Sequence, residues 1–191
     1  MAAKRELFAA LDEICGPECL FGSNTSSLSI TEMARGLTHE GQFLGLHFFN
    51  PAPLMRLVEI IRGGAATEEA LSAAVELIRS IGKEPVICRE SPGFIVNRIL
   101  IPMINEAVDL LETGVASREA IDSAMKLGAN HPMGPLELAD FIGVDIVLAI
   151  MEVIFDETGD PKYRPSLMLK RMVRAGRLGR KTGEGFYDYN K

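Results

Sequence analysis

No run of eighteen uncharged apolar residues occurs anywhere in the chain, so no stretch of it reads as a membrane-crossing helix. Basic residues are in deficit. The 20 Lys and Arg stand against 26 Asp and Glu, for a formal net charge of −6, which argues against general affinity for nucleic acid or an anionic membrane. Cysteine is scarce: Cys15, Cys19 and Cys88 are odd in number and form no C-x-x-C pair. Neither a disulfide framework nor a zinc site is indicated, and no metal is expected. Three small thiols in a reducing cytoplasm are the simpler expectation. The opening stretch, MAAKRELFAALDEIC, threads charges through its apolar residues and lacks the continuous apolar segment of a signal peptide.

What is present suffices for a soluble, globular protein: 191 residues, 47% of them hydrophobic, can form one domain or two small ones. Residues 1–90 alternate helical and strand-like periods. Leu7, Leu11 and Ile14 mark one helical face, and CLFGS reads as a strand ending at Asn24. Thr31 to Leu37 allows a short helix, and FLGLHFFNPAP and RLVEIIRG are strand candidates. Thr67 to Ile81 is a helix with Leu71, Ala74, Val75 and Ile78 on one face, and EPVIC is a last strand. This alternation is the signature of α/β layering.

Beyond a boundary near Glu90 to Pro92 the character changes. Residues 91–191 read almost wholly as helix, with no period-two segment until GFYDY. Ile95 to Leu111 predicts a central buried helix, kinked at Pro102. Pro135 and Pro165 suit a first helical position, and Gly128 and Gly176 the residue just past a helix end. This half carries more apolar surface than about a hundred residues easily bury alone, so a homodimer through these helices is expected.

Four stretches could carry chemistry. FGSNTSSL, Phe21 to Leu28, places a polar loop directly after a strand, where α/β proteins hold ligands; Ser/Thr/Asn clusters are also ordinary turns and caps. In GLHFFNPAP a histidine stands among Leu and Phe. If the chain reverses about Pro53, residues whose numbers sum to 106 face each other, and His47 lies opposite Glu59. An imidazole beside a carboxylate in an apolar wall can take up a proton and return it, general base work typically worth roughly 10²–10⁴ in rate. The plain alternative is a core histidine bonded to a backbone carbonyl.

In SPGFIVNR, Pro92 and Gly93 form a turn at the boundary. Asn97 lies one turn into an apolar helix, where its amide must bond to structure or face a cleft. Last, Lys162 to Lys181 holds eight Lys or Arg and no acid, leaving −14 on the rest. That suits a phosphate-bearing ligand or a solvated helix face. The flanking aromatics are not interleaved with the charges as a nucleic-acid stacking platform requires.

Taken together, SNTSSLSI, GLHFFNPAPLMRLVEII, ESPGFIVNRIL, HPMGPLELADFIGVD and GRKTGEGFYDY resemble the 3-hydroxyacyl-CoA dehydrogenase family, in family order and across nearly all 191 residues. The resemblance implies an α/β remnant of a Rossmann-type domain, residues 1–90, followed by an all-α C-terminal domain, residues 91–191, for substrate and dimer contacts. It implies an NAD-dependent enzyme that interconverts 3-hydroxyacyl-CoA and 3-oxoacyl-CoA. His47 would be the general base and Glu59 its partner, with Ser26 and Asn97 hydrogen-bonding the reacting oxygen. Asn50 would share that polar cluster, and Asn24 would lie beside the nicotinamide ribose.

One family feature is missing. No G-x-G-x-x-G turn follows a strand and opens a helix, so the pyrophosphate cradle of the cofactor has no counterpart here. The chain is therefore expected to begin about a third of the way into the family's length and not to turn over unaided. Two other readings stay open: a non-catalytic acyl-CoA-binding or dimerisation module, and a relative acting on another small hydroxy acid.

Overall fold

The computed structural model describes residues 1–26 and 28–190. By packing, the chain divides into two compact units, Met1–Ile95 and Val96–Lys191; the first is α/β, the second helical.

The first unit is built on a four-stranded sheet, β1 (Phe21–Ser23), β2 (Phe43–Phe48), β3 (Leu57–Arg62) and β4 (Glu84–Arg89), in that spatial order. β1 and β2 run parallel, β2 and β3 antiparallel, β3 and β4 parallel. Because successive side chains alternate between faces, the sheet presents two different surfaces. Leu44, Val58 and Ile60 face α3 (Glu68–Ser80), which contributes Ala70, Leu71, Ala74 and Ile78. The expected face of this helix is the one that packs, and Thr67 caps it by accepting the Ala70 amide. Phe43 and Ile61 point the other way, into a cluster with Phe8 of α1 (Ala2–Ile14) and Ile30 and Met33 of α2 (Ile30–Ala34).

At Gly45 the sheet and α2 come so close that a Cβ would lie 2.8 Å from Ile30 Cδ1. α1 turns a face inward that only partly matches the one its spacing predicts: Phe8 is its buried residue and Leu11 packs beside it, whereas Leu7 and Ile14 are exposed. Phe8 wins because Phe43 and Phe21 await it with ring centroids at 4.6 and 5.8 Å, and aromatic packing buries more area than a leucine stripe.

The second unit comprises α4 (Val96–Glu112), α5 (Arg118–Gly128), α6 (Pro135–Ile142), α7 (Val144–Thr158) and α8 (Leu167–Arg174). α4 is continuous through Pro102 but buries a stripe rather than its whole circumference: Ile101, Ile104 and Val108 are covered while Ile99 is exposed. Pro135 does occupy the start of α6. Pro165 does not begin a helix: it precedes Ser166, whose hydroxyl caps α8. Gly128 is the last residue of α5 rather than the one beyond it, and Gly176 lies past α8 with φ +73°.

GFYDY contributes Asp188 to an isolated bridge with Glu184 and forms no strand. Its backbone is claimed instead by Asp140, whose carboxylate accepts the amides of Phe186 and Tyr187 and the Tyr189 hydroxyl at 2.9, 2.9 and 3.1 Å. Asp122 does the same for the start of α6, accepting the Leu136 and Glu137 amides and the Tyr187 hydroxyl. Gly134 is required beside it, since a Cβ there would fall 2.2 Å from the Asp122 carboxyl carbon. Among the described residues no helix is long and apolar enough to cross a membrane, and no cluster of His, Cys, Asp and Glu could hold a metal ion.

Candidate active site

The antiparallel register places His47 directly opposite Glu59, as the reversal about Pro53 predicts. Both side chains project to the face carrying Phe43 and Ile61, and both are buried, Glu59 completely. Imidazole Nδ1 and carboxylate Oε2 are 2.7 Å apart. The other carboxylate oxygen, Oε1, accepts the Ile95 amide at 3.0 Å. An ionised carboxylate only accepts, so Nδ1 carries a hydrogen, and in the neutral ring the lone pair is then on Nε2. Nε2 has no hydrogen-bond partner among the described residues.

Two rings fix the imidazole plane, Phe49 at 4.5 Å and Phe94 at 5.6 Å between centroids. Phe94 reaches it from a left-handed backbone, φ +52°, which follows Gly93 at φ +77°. For a bulky residue this conformation is costly, and the Gly-Phe pair spends it to turn the ring onto His47.

The polar loop opens at the C-terminal end of β1. Asn24 is exposed, and its Oδ1 accepts the Phe48 amide at 3.2 Å, tying the loop to the strand that carries His47. Lys4, near the start of α1, reaches the same point: Nζ donates to Ser23 Oγ at 3.1 Å and to the Asn24 carbonyl at 3.0 Å. Lys4 is absent from the sequence expectations, because nothing in its local pattern distinguishes it from a solvated lysine. Ser26 is exposed in the loop, beyond the Thr25 hydroxyl that accepts the Leu28 amide. Asn50 is exposed just past β2, at a cis bond to Pro51. Asn97 belongs to the second unit, in the first turn of α4 rather than one turn in, and is 8% exposed. Its side-chain amide has no hydrogen-bond partner among the described residues.

The basic tail is largely ion-paired. Lys162 pairs with Asp160, Lys170 with Glu152, Arg171 with Glu112, Arg177 with Glu184, Arg180 with Glu137 and Lys181 with Asp145. Six of its eight cations are thus matched by carboxylates from outside the Lys162–Lys181 window, which explains how a charge run arises without a ligand.

Known proteins share this sequence and fold. The model of the 3-hydroxyacyl-CoA dehydrogenase NAD binding domain matches residues 1–91, and that of the family's C-terminal domain residues 93–189. The 3-hydroxybutyryl-CoA dehydrogenase of Clostridioides difficile is 56% identical over 191 residues, covering 100% of this chain and 68% of that protein. The mitochondrial hydroxyacyl-coenzyme A dehydrogenase of Homo sapiens is 45% identical over 190 residues, 99% of this chain and 60% of its own length. The crystal structure of (S)-3-hydroxybutyryl-CoA dehydrogenase from Ralstonia eutropha superimposes with a TM-score of 0.97 at 51% identity, over 100% of this chain and 68% of that one. The chain thus spans about two thirds of its bacterial relatives' length. With the two family models together matching residues 1–91 and 93–189, the chain belongs to the 3-hydroxyacyl-CoA dehydrogenase family.

Proposed function

We propose that the chain carries the proton-transfer machinery of an NAD-dependent (S)-3-hydroxyacyl-CoA dehydrogenase, with 3-hydroxybutyryl-CoA as substrate. The observation that carries this reading is the buried 2.7 Å contact of His47 with Glu59, which leaves Nε2 as the base. In the oxidation direction His47 Nε2 takes the proton of the C3 hydroxyl as the C3–H bond gives up its hydride. Glu59 holds the Nδ1 hydrogen and stabilises the imidazolium that forms. On the first unit, Ser26 is the hydrogen-bonding group for the oxygen that becomes the ketone and Asn50 extends that polar set; Asn97 is the second unit's candidate for the same role. In reduction the same imidazolium returns the proton.

NAD supplies the hydride acceptor when bound. Of its parts, the nicotinamide-ribose end finds candidate groups here. Asn24 sits at the end of a strand in a parallel pair, the usual place for a nucleotide in an α/β sheet, and the Lys4 ammonium is fixed beside it. The residues present offer no glycine-rich turn for the pyrophosphate. The alternative of a non-catalytic acyl-CoA-binding module drew on the basic tail and a cleft between domains, and the ion pairs weaken the first of these grounds. A homodimer through the helical unit rests on its exposed apolar side chains, among them Ile99, Val115, Leu127 and Leu167. A cytoplasmic setting rests on the three free cysteines.

The test joins this chain to the N-terminal third of its Clostridioides difficile relative and follows NADH absorbance with acetoacetyl-CoA. Turnover is expected in the chimera and not in the chain alone. A folded chimera that binds both ligands yet does not turn over would refute the reading.

A further inference from the structure

The proposed reaction leaves one buried histidine unused. His39 precedes the helical turn Glu40–Gln42 that leads into β2, and it is 3% exposed. Both of its ring nitrogens meet oxygen: Nδ1 lies 2.5 Å from Asp12 Oδ1, and Nε2 lies 2.7 Å from the carbonyl oxygen of Gly16. A carbonyl only accepts, so Nε2 carries a hydrogen; an ionised carboxylate only accepts, so Nδ1 carries one too. A ring with both hydrogens is an imidazolium.

Its surroundings suit that charge. Phe21 stacks on the ring at 4.6 Å, and the Thr38 hydroxyl stands 3.3 Å from Nδ1. Asp12 is held on every side, accepting the Thr38 and His39 amides at 2.7 and 3.0 Å as well. Asp12, from α1, is the charged group that meets the ring. The thiols of Cys15 and Cys19 lie on the adjoining loop, the Cys15 thiol held up by burial, by its neighbour Cys19 and by Asp12. The hydrogen bond to Gly16, and then that to Asp12, hold the imidazole above its ordinary value against burial. Burial would raise Asp12, but the bonds from Thr38 and His39 outweigh it and hold the carboxyl well below its ordinary range.

Asp12 lies on the last turns of α1 and Lys4 near its start, eight residues or about 12 Å apart along one helix. The helix is therefore fixed at three places: Lys4 on the end of β1, Phe8 in the aromatic cluster, and Asp12 on Thr38 and His39.

We propose that His39 is a positioning residue whose protonated ring clamps one end of α1 and so holds Lys4, at the other end, against Ser23 and Asn24. The functional weight of this rests on reading Lys4 and Asn24 as the cofactor end of the site. The pH sense follows from the two groups. His39 is raised, so the clamp is complete below the ordinary imidazole value of about 6.5 and is lost as pH climbs through the folded value. Asp12 is lowered, so the clamp is complete above the ordinary carboxylate value of about 3.9 and is lost as pH falls through the folded value.

Nitrogen NMR of the whole chain, titrated from about pH 5 to about pH 9, tests this in wild type without any ligand. The expected result is a His39 ring with both nitrogens protonated at neutral pH, and Ser23 and Asn24 amides that shift with the same midpoint as the ring. Asp12→Asn should lower the ring's protonation constant by about tenfold or more and carry the Ser23 and Asn24 midpoint with it. Lys4→Met should leave the ring titration in place and abolish its echo at Asn24. A neutral ring at neutral pH, or Ser23 and Asn24 amides indifferent to the ring's titration, would overturn the proposal. None of these readings requires cofactor or substrate, so they separate from the fate of the NADH assay.

Discussion

His47 and Glu59 meet across an antiparallel strand pair, with Nδ1 2.7 Å from Oε2 and the second carboxylate oxygen spent on the Ile95 amide. One buried acid thus performs two tasks: it orients a base, and it anchors the end of the segment that carries Phe94.

His47→Gln removes the base and keeps a polar side chain of similar reach. In the chimera it should lower turnover of acetoacetyl-CoA by roughly 10²–10⁴ while calorimetric affinity for the thioester changes little. Ordinary turnover in this variant would place the base elsewhere.

Glu59→Gln should cost less activity, because the base remains but is less well aimed. The fold should still register it. A glutamine offers one accepting oxygen where Glu59 uses two, so with that oxygen on the Ile95 amide its NH2 can only donate to His47 Nδ1 and moves the ring hydrogen to Nε2, while with the oxygen on the ring the Ile95 amide loses its partner, at a cost of about 1–3 kcal/mol. Urea denaturation should report that loss, and an unchanged midpoint would show that the second oxygen matters little.

Lys4→Met should loosen the end of β1 by removing both of its bonds there. We expect NADH affinity of the chimera to weaken by about tenfold, with acetoacetyl-CoA affinity little changed. Equal loss for both ligands would assign Lys4 to general stability.

Cys88 reports on Glu59 from β4. Burial, and second the Glu59 charge, push its thiol up to about 11, so at about pH 8 roughly one molecule in a thousand is thiolate. Alkylation by iodoacetamide should be slow in the folded protein and accelerate only toward that value. In Glu59→Gln it should quicken at fixed pH, provided the fold holds, and an unaltered rate would mean the two groups do not feel each other.

Much of this site is legible in the sequence, because an antiparallel reversal obeys simple arithmetic: numbers that sum to 106 pair from Leu44 with Arg62 to Phe48 with Val58. The amphipathic face of α3 is legible for a similar reason, since its period survives in Leu71, Ala74 and Ile78. α1 is not, because two helical stripes compete there and a distant aromatic cluster decides between them. Lys4 acts on residues 19 and 20 positions away, and Asp140 on residues 46 to 49 away. No local pattern encodes such partners. Asp140 also bears on why GFYDY, with the alternation of a strand, forms none: the Phe186 and Tyr187 amides are already taken.

The period of two that joins His47 to Glu59 also governs how this stretch can tolerate change. The eight residues between Phe48 and Leu57 can gain or lose members while the strands on either side keep step. A single residue inserted inside β2 ahead of His47 would instead rotate the imidazole onto the α3 side, among Leu44 and Ile60, and leave Glu59 with no ring to hold. Variation in length should therefore collect in the turn around Pro53, and the six positions of β2 should admit changes of side chain but not of number.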